Sequence, residues 1–243
     1  MATRQVAVPT RGKKHSVLLD NYFYFSMSLL VAAVVVYGFS HTVDQNLIHA
    51  TPPRPWILWL HGIVFSGWLA FFIFQSALVR THNVKLHRKT GWFGAAMGAL
   101  IPVLGISTAI VMDKFNFALF HAPKAKLFFS VQLWDMIAFT IPFWLAVYWR
   151  KKPEYHRRLV LVATCALTAA GFGRFPFLPA WSFYVGVDAL ILLGVARDLI
   201  VSRRIHVVYR YVLPAFVAGQ IVAFQLWMHH PAWWVRLTNA IMG

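Results

Sequence analysis

The chain has 243 residues, of which 59% are hydrophobic and 12% are charged, and its mean hydropathy is +0.60. A soluble domain carries about 25% charged residues, so seven acidic residues are too few to solvate a globule of this size. The composition therefore predicts an all-α polytopic membrane protein. The single cysteine, Cys165, excludes an intramolecular disulfide and a cysteine-based metal site.

Apolar runs long enough to cross ~30 Å of hydrocarbon follow one another along the chain, with short connections between them. The first run is longer than the roughly 7–15-residue apolar core of a cleaved signal, so we predict a retained transmembrane helix. The expected organisation is a basic cytoplasmic segment 1–20, one seven-helix transmembrane domain 21–228 and an outer C-terminal tail 229–243. The predicted spans are 21–40, 55–79, 91–112, 127–149, 159–175, 180–200 and 211–228.

The basic residues alternate between the connecting segments. Four segments, the N-terminus, "RTHNVKLHRKT", "RKKPEYHRR" and "RDLIVSRRIHVVYR", contain seventeen Lys and Arg, whereas the intervening segments and the tail contain five. Because cytoplasmic loops hold the Lys and Arg excess, we predict a cytoplasmic N-terminus and a C-terminus outside. Topology also explains the net charge of +16, so no nucleic-acid partner is expected; the expected partners are membrane lipids, a small-molecule ligand or another protein.

Six polar residues on five predicted spans fall into one layer of the outer half, about 5–12 Å below the outer boundary at a rise of ~1.5 Å per residue. An ionised side chain at such a depth costs ~2.5–3.5 kcal/mol unless it is paired, hydrogen-bonded or protonated. We therefore expect Arg174 to pair with Asp135 or Asp188, and a proton or ligand cation to neutralise the excess acid. The alternative is that these groups only hold helices together. The candidate ligand-binding residues are His61, Gln132, Asp135, Arg174, Asp188 and Gln225.

Histidines cluster at the predicted outer rim. Histidine is the usual ligand of haem iron and a common ligand of copper and zinc, so a haem held by His61 and a rim histidine is one alternative. A rim metal site is a weaker one, and plain interfacial histidines are the simplest. The weak metal candidates are His41, His121 and His229.

Three cytoplasmic segments each place histidine beside arginine where an outward-running helix begins. Together with the partial positive charge of a helix N-terminus, these side chains would hold an anionic lipid headgroup or a phosphate. The alternative is that they are topology charges in contact with anionic lipid. The residues concerned are His87, Arg88, His156, Arg157, Arg158, Arg203, Arg204 and His206.

The stretches "LHRKTGW", "YHRRLVLVATCALTAAGFGRFP" and "RDLIVSRRIHVVY" resemble a family of uncharacterised bacterial multi-pass membrane proteins. The resemblance covers roughly residues 55–210. It implies a bacterial inner-membrane location, and it assigns no activity or site.

No predicted span contains a lysine, so retinal has no Schiff-base attachment point. The zinc-protease, nucleophile-elbow, P-loop and dinucleotide motifs are also absent, and nothing in the sequence points to an enzyme. Three hypotheses remain. The first is a bundle that binds a small molecule, lipid or proton in an outward-facing polar pocket, acting as a sensor, carrier or accessory subunit. The second is a haem-binding redox protein that uses His61, and the third is a structural or assembly partner without a ligand.

Overall fold

A computed structural model describes the backbone of residues 11–121, 128–179 and 182–242, and the side chains of these residues except 11–18 and Phe120. The first ten residues of the predicted cytoplasmic segment, Lys124 and Lys126 lie outside the described residues. The described residues form nine α-helices and a π-helical turn at Asp44–Ile48, without a strand. The helices are α1 Arg11–Ser40, α2 Trp56–Arg80, α3 Val84–Phe120, α4 Phe129–Tyr148, α5 Pro153–Ala166, α6 Ala169–Phe172, α7 Phe183–Ser202, α8 Val207–His229 and α9 Ala232–Met242.

Five helices among the described residues are long and apolar enough to cross a membrane, so the chain is a multi-pass membrane protein. They are α1 (from Leu19), α2, α3 (to Leu119), α4 and α8. Each contains one of the predicted spans or most of it. The predicted membrane class and the all-α fold are therefore confirmed at this level.

The remaining two predicted spans are interrupted or more polar. The helix predicted over 159–175 is divided into α5 and α6, because the chain tightens at Leu167 and Thr168. Both backbone N–H groups there donate to the carbonyl three residues back, and the Thr168 hydroxyl also donates to Cys165 O at 2.6 Å. The predicted span 180–200 corresponds to α7, which contains Asp188, Arg197 and Asp198.

Helix α3 extends well beyond its predicted span, and the predicted tail contains an additional helix. Helix α3 has 37 residues, and at ~1.5 Å per residue this is far longer than ~30 Å of hydrocarbon requires. The predicted connection 80–90 therefore shortens to a turn of three residues, and Asn83 caps α3 by accepting a hydrogen bond from the Leu86 N–H at 3.3 Å. Part of the predicted C-terminal tail also folds, as α9, which packs against α3.

The helices share one apolar core. Its largest cluster joins α1, α4, α5, α7 and α8 around side chains such as Val31, Val162 and Ile191. A second cluster joins α2, α3, α4 and α5 around Trp68 and Phe139, whose rings meet edge to face at 5.4 Å. Helix α4 belongs to both clusters and forms the centre of the bundle.

A glycine pair sets the closest helix crossing. A Cβ added at Gly38 of α1 would lie 2.2 Å from the backbone oxygen of Gly171 in α6. Close backbone approach at small residues is how membrane helices gain packing energy in lipid. The crossing therefore fixes the end of α1 against the short helix α6.

We predict that Gly38→Ala lowers the free energy of unfolding by about 1–3 kcal/mol, because two backbones must separate to admit the methyl group. Gly91→Ala in α3 is the control: an added Cβ meets nothing within 4 Å there, and the substitution improves helix propensity. Unfolding in a detergent titration measures both. Equal stability of the two variants would contradict the close backbone contact between Gly38 and Gly171.

Candidate functional site

A cavity of about 1430 Å³ lies at one end of the bundle, where α1 ends, α2 begins, α3 ends and α4 begins. We call this the cavity end, and the opposite end the network end. Residues of α1, α2, α3 and α4 form most of the wall, with α6 and the segment after it closing one side. The π-helical turn contributes Asn46 and Leu47, and a Leu47 methyl group lies 3.9 Å from where a Cβ of Gly62 would be. The turn thus covers the cavity end.

Four of the six predicted ligand-binding residues line this cavity: His61, Gln132, Asp135 and Arg174. They come from α2, α4 and the segment after α6, which the sequence analysis placed at similar depth. His61, Gln132 and Asp135 are half-buried, whereas Arg174 is exposed. Asp135 neighbours the phenol of Tyr184 in α7.

The other two predicted residues lie outside the cavity wall. Asp188 of α7 accepts a hydrogen bond from the Gln220 amide of α8 at 2.9 Å, a contact that joins two helices. Gln225 is exposed on α8. The six residues therefore do not form one group: four line the cavity, and two lie outside its wall.

Polar residues that the sequence analysis assigned to connections also line the cavity, and they include Arg54, Asp113 and Asn116. Asp113 is 4% exposed, and the Gln132 side chain lies against its carboxyl group. It was missed because span three was ended at residue 112, one position before it. The signal was the run "DKFNFALF", which is mostly apolar and contains no Gly or Pro that would end the helix.

The expected ion pair of Arg174 is absent from the described residues. Its guanidinium donates to the Ala170 carbonyl at 2.5 Å and lies over the Phe39 ring at 4.2 Å. Arg54 is a second cation at the cavity and donates to Asn116 Oδ1 at 3.3 Å. The expectation that Arg174 pairs with Asp135 or Asp188 is therefore wrong.

The cavity wall holds several buried polar atoms that have no hydrogen-bond partner among the described residues. More than nine in ten buried polar groups in proteins are hydrogen-bonded, and each exception calls for an explanation such as water, an ion or a ligand. Eleven of the sixteen such atoms lie elsewhere in the described residues, and five line this one cavity. The five are Arg54 Nε, His61 Nδ1, Thr108 Oγ, Asp113 Oδ2 and Gln132 Oε1.

The rim histidines do not join His61 in the cavity wall. His41 packs against the Tyr37 ring, His49 pairs with Asp44 at 2.6 Å, and His61 itself stacks on Phe65 at 3.9 Å between centroids. The part of the chain that the structure describes contains no group of three or more metal-ligating side chains. His121 and His230 each end a helix in the left-handed conformation, which places them at turns.

The network end contains a second set of charges, which the sequence analysis did not recognise. Arg158 of α5 and Asp198 of α7 form two hydrogen bonds, Nε to Oδ2 at 2.8 Å and Nη2 to Oδ1 at 2.5 Å, and both side chains are at most 2% exposed. Arg197 pairs with Asp198 and with Asp20 of α1. Ion pairs therefore join three helices, and the pairs of Asp198 with Arg158 and Arg197 are fully buried.

Glu154 extends this network to the surface. Its carboxylate accepts hydrogen bonds from Arg157 and Arg158, each at 2.7 Å. Burial by itself raises the pKa of Glu154, but the hydrogen bond from Arg158 and the two arginine charges outweigh it and lower the pKa. Glu154 is therefore ionised at neutral pH, and the six charges of the network balance in sign.

These contacts change the interpretation of the histidine–arginine motifs. Arg158 is buried and paired, so it is not available to a lipid headgroup, and Arg157 is partly engaged by Glu154. His156 bonds to the Ala146 carbonyl at 2.9 Å and packs against His87, and His206 caps α8 by accepting from the Val208 N–H at 3.2 Å. Among the eight motif residues, three arginines are exposed and can contact anionic lipid: Arg88, Arg203 and Arg204.

Comparison with known proteins adds no relative: no family model, no curated protein and no solved structure matches the chain.

We predict that Asp198→Asn lowers the free energy of unfolding by about 3–5 kcal/mol, because Arg158 and Arg197 keep their charges in a buried site after their carboxylate is lost. Asp44→Asn is the control, since the Asp44–His49 pair is exposed and such pairs contribute about 0–1 kcal/mol. A detergent unfolding titration compares them. If Asp198→Asn lowered the free energy of unfolding no more than Asp44→Asn does, the ion-pair network would not be stabilising the fold.

Proposed function

We propose that the chain is a seven-span protein of the bacterial inner membrane that binds a small molecule or lipid in a cavity open to the outer half of the bilayer. The cavity end is the outer end, and the network end is cytoplasmic. The distribution of basic residues supports this orientation, because the connections at the network end carry most of the Lys and Arg and such an excess marks the cytoplasmic side.

The two remaining predicted spans, formed by α5 with α6 and by α7, fit this topology. Helix α7 is not apolar enough by composition, but its Arg197 and Asp198 are neutralised by partners inside the protein, which removes most of the cost of charge in hydrocarbon. Helices α5 and α6 follow each other directly, and residues 161–166 of α5 are shielded from lipid by the other helices. The break between them is tolerated because it is buried in protein.

Cysteine labelling tests whether α5–α6 and α7 each cross the membrane. In a Cys165→Ala background, we expect Phe177→Cys to react with a membrane-impermeant maleimide added to spheroplasts, and Lys151→Cys and Ser202→Cys to remain protected until the cells are lysed. All three positions are exposed in connections or at a helix end. Thr51→Cys is the positive control. If positions 151, 177 and 202 all react alike, α5–α6 and α7 do not cross.

The observation that carries the binding function is the group of unpartnered polar atoms around the cavity. A polar layer that only held helices together would have its atoms bonded to one another, as Asp188 is to Gln220. Around the cavity, by contrast, His61 Nδ1, Asp113 Oδ2 and Gln132 Oε1 lack protein partners. A bound molecule with hydrogen-bonding groups would supply those partners, and each missing bond otherwise costs about 1–3 kcal/mol.

The matched pair Asp135→Asn and Asp188→Asn tests this proposal. Both carboxyl groups are half-buried in transmembrane helices, but only Asp135 lines the cavity. We expect the protein purified in mild detergent to carry a copurified molecule in native mass spectrometry, retained by Asp188→Asn and lost or reduced at least about tenfold by Asp135→Asn. Equal retention by both variants would contradict binding in the cavity. So would the absence of any bound molecule in the unsubstituted protein.

A further inference from the structure

The wall of the cavity includes side chains that face away from the protein. Val36 of α1 is 66% exposed and Ile63 of α2 is 67% exposed, yet both line the cavity. A side chain that both lines a cavity and is mainly exposed lies at the mouth of that cavity. The mouth therefore lies between α1 and α2, on the side of the bundle.

The mouth extends along α2 as a stripe. Trp59, Ile63, Ser66 and Ala70 follow the three- and four-residue spacing of one helix face, and all four are exposed and line the cavity. Ile73 continues the lining. From Trp59 to Ile73 the rise is ~21 Å, about two-thirds of the hydrocarbon thickness. We call this stripe and the facing residues of α1 the lateral slot.

The slot ends toward the cytoplasm where α1 and α2 close on each other. There the Arg80 guanidinium of α2 lies over the Tyr22 ring of α1 at 3.7 Å, and Phe72 packs in the core cluster with Met27. At the other end, the π-helical turn covers the cavity. The slot is consequently open sideways, toward lipid, and its polar groups lie at its outer end.

The polar groups at the outer end of the slot determine which head group a ligand can have. The unpartnered atoms Asp113 Oδ2 and Gln132 Oε1 call for donors, whereas Arg54 Nε calls for an acceptor. A hydroxyl group both donates and accepts. The ionisable lining residues other than His61 consist of two carboxyl groups and two guanidinium groups, so their charges balance and favour an uncharged head over an ion.

We propose that the ligand of the cavity is an uncharged amphiphile with a hydroxyl-bearing head and one long apolar chain. It enters from the outer leaflet through the lateral slot, places its head at Asp113, Gln132 and His61, and lays its chain along α2. This inference rests on the proposed binding function and adds the class of ligand and its route.

Substitutions in the slot test the route. Ala70→Trp fills the slot toward its inner end, and Ala218→Trp on α8 is the matched control, an exposed alanine in a transmembrane helix away from the cavity. The probe is 1-oleoylglycerol, titrated into the purified protein and counted by native mass spectrometry. Glycerol tests the need for a chain, and phosphatidylglycerol tests the need for an uncharged head.

We expect the unsubstituted protein and Ala218→Trp to bind one 1-oleoylglycerol, at least tenfold more tightly than phosphatidylglycerol and with no binding of glycerol. Ala70→Trp should weaken this binding at least tenfold, and Ala70→Leu, a milder change if the tryptophan prevents folding, should weaken it about threefold. Asp135→Asn should weaken it as well.

Other results would overturn the inference in distinguishable ways. If Asp135→Asn lost its copurified molecule but Ala70→Trp and Ala70→Leu bound 1-oleoylglycerol normally, the cavity would be a site that is not reached through the slot. If the slot variants lost binding while Asp135→Asn kept it, the slot would hold bilayer lipid without using the polar end. Equal binding of phosphatidylglycerol would exclude selection of an uncharged head.

Discussion

The structure depends on one constraint: inside a bilayer, polar groups must find their partners within the protein. The chain has seven acidic residues, and they differ in the partners that surround them. Three belong to the ion-pair network, one pairs with a histidine in the first connection, and one joins α7 to α8. The remaining two line the cavity, where no ion pair to a basic residue is present among the described residues. In chain order the seven are Asp20, Asp44, Asp113, Asp135, Glu154, Asp188 and Asp198.

The two ends of the bundle therefore serve different purposes. At the network end, ion pairs join α1, α5 and α7, and removing one partner would leave a charge in the interior. At the cavity end, the same α1 is held at Gly38 against Gly171, while α2 packs mainly on α1 and α3. In the orientation that we propose, a closed network end and an open cavity end suit a protein that binds a molecule from the outer leaflet.

The sequence predicted the fold class and the helices that length and hydropathy determine, because both are properties of the local chain. It placed His61, Gln132, Asp135 and Arg174 at similar depth from the rise per residue, and these four line one cavity in the structure. It did not predict which side chains contact one another. Whether Arg174 meets a carboxylate or the ring of Phe39 depends on helix rotation and packing, which hydropathy does not encode. Asp113 was missed because the predicted span ended one residue before it, whereas α3 continues to Phe120, and the Arg158–Asp198 pair was missed because its members lie 40 positions apart.

The central claim is that a bound molecule, and not the protein itself, satisfies the polar atoms of the cavity. The most direct measurement is a cryo-electron microscopy map of the protein in lipid nanodiscs, at a resolution that separates lipid from water. The account predicts continuous, elongated density within hydrogen-bond distance of Gln132 Oε1 and Asp113 Oδ2, extending past Ala70. Discrete water peaks at these atoms, or rotated side chains that bond to one another and close the cavity, would contradict it.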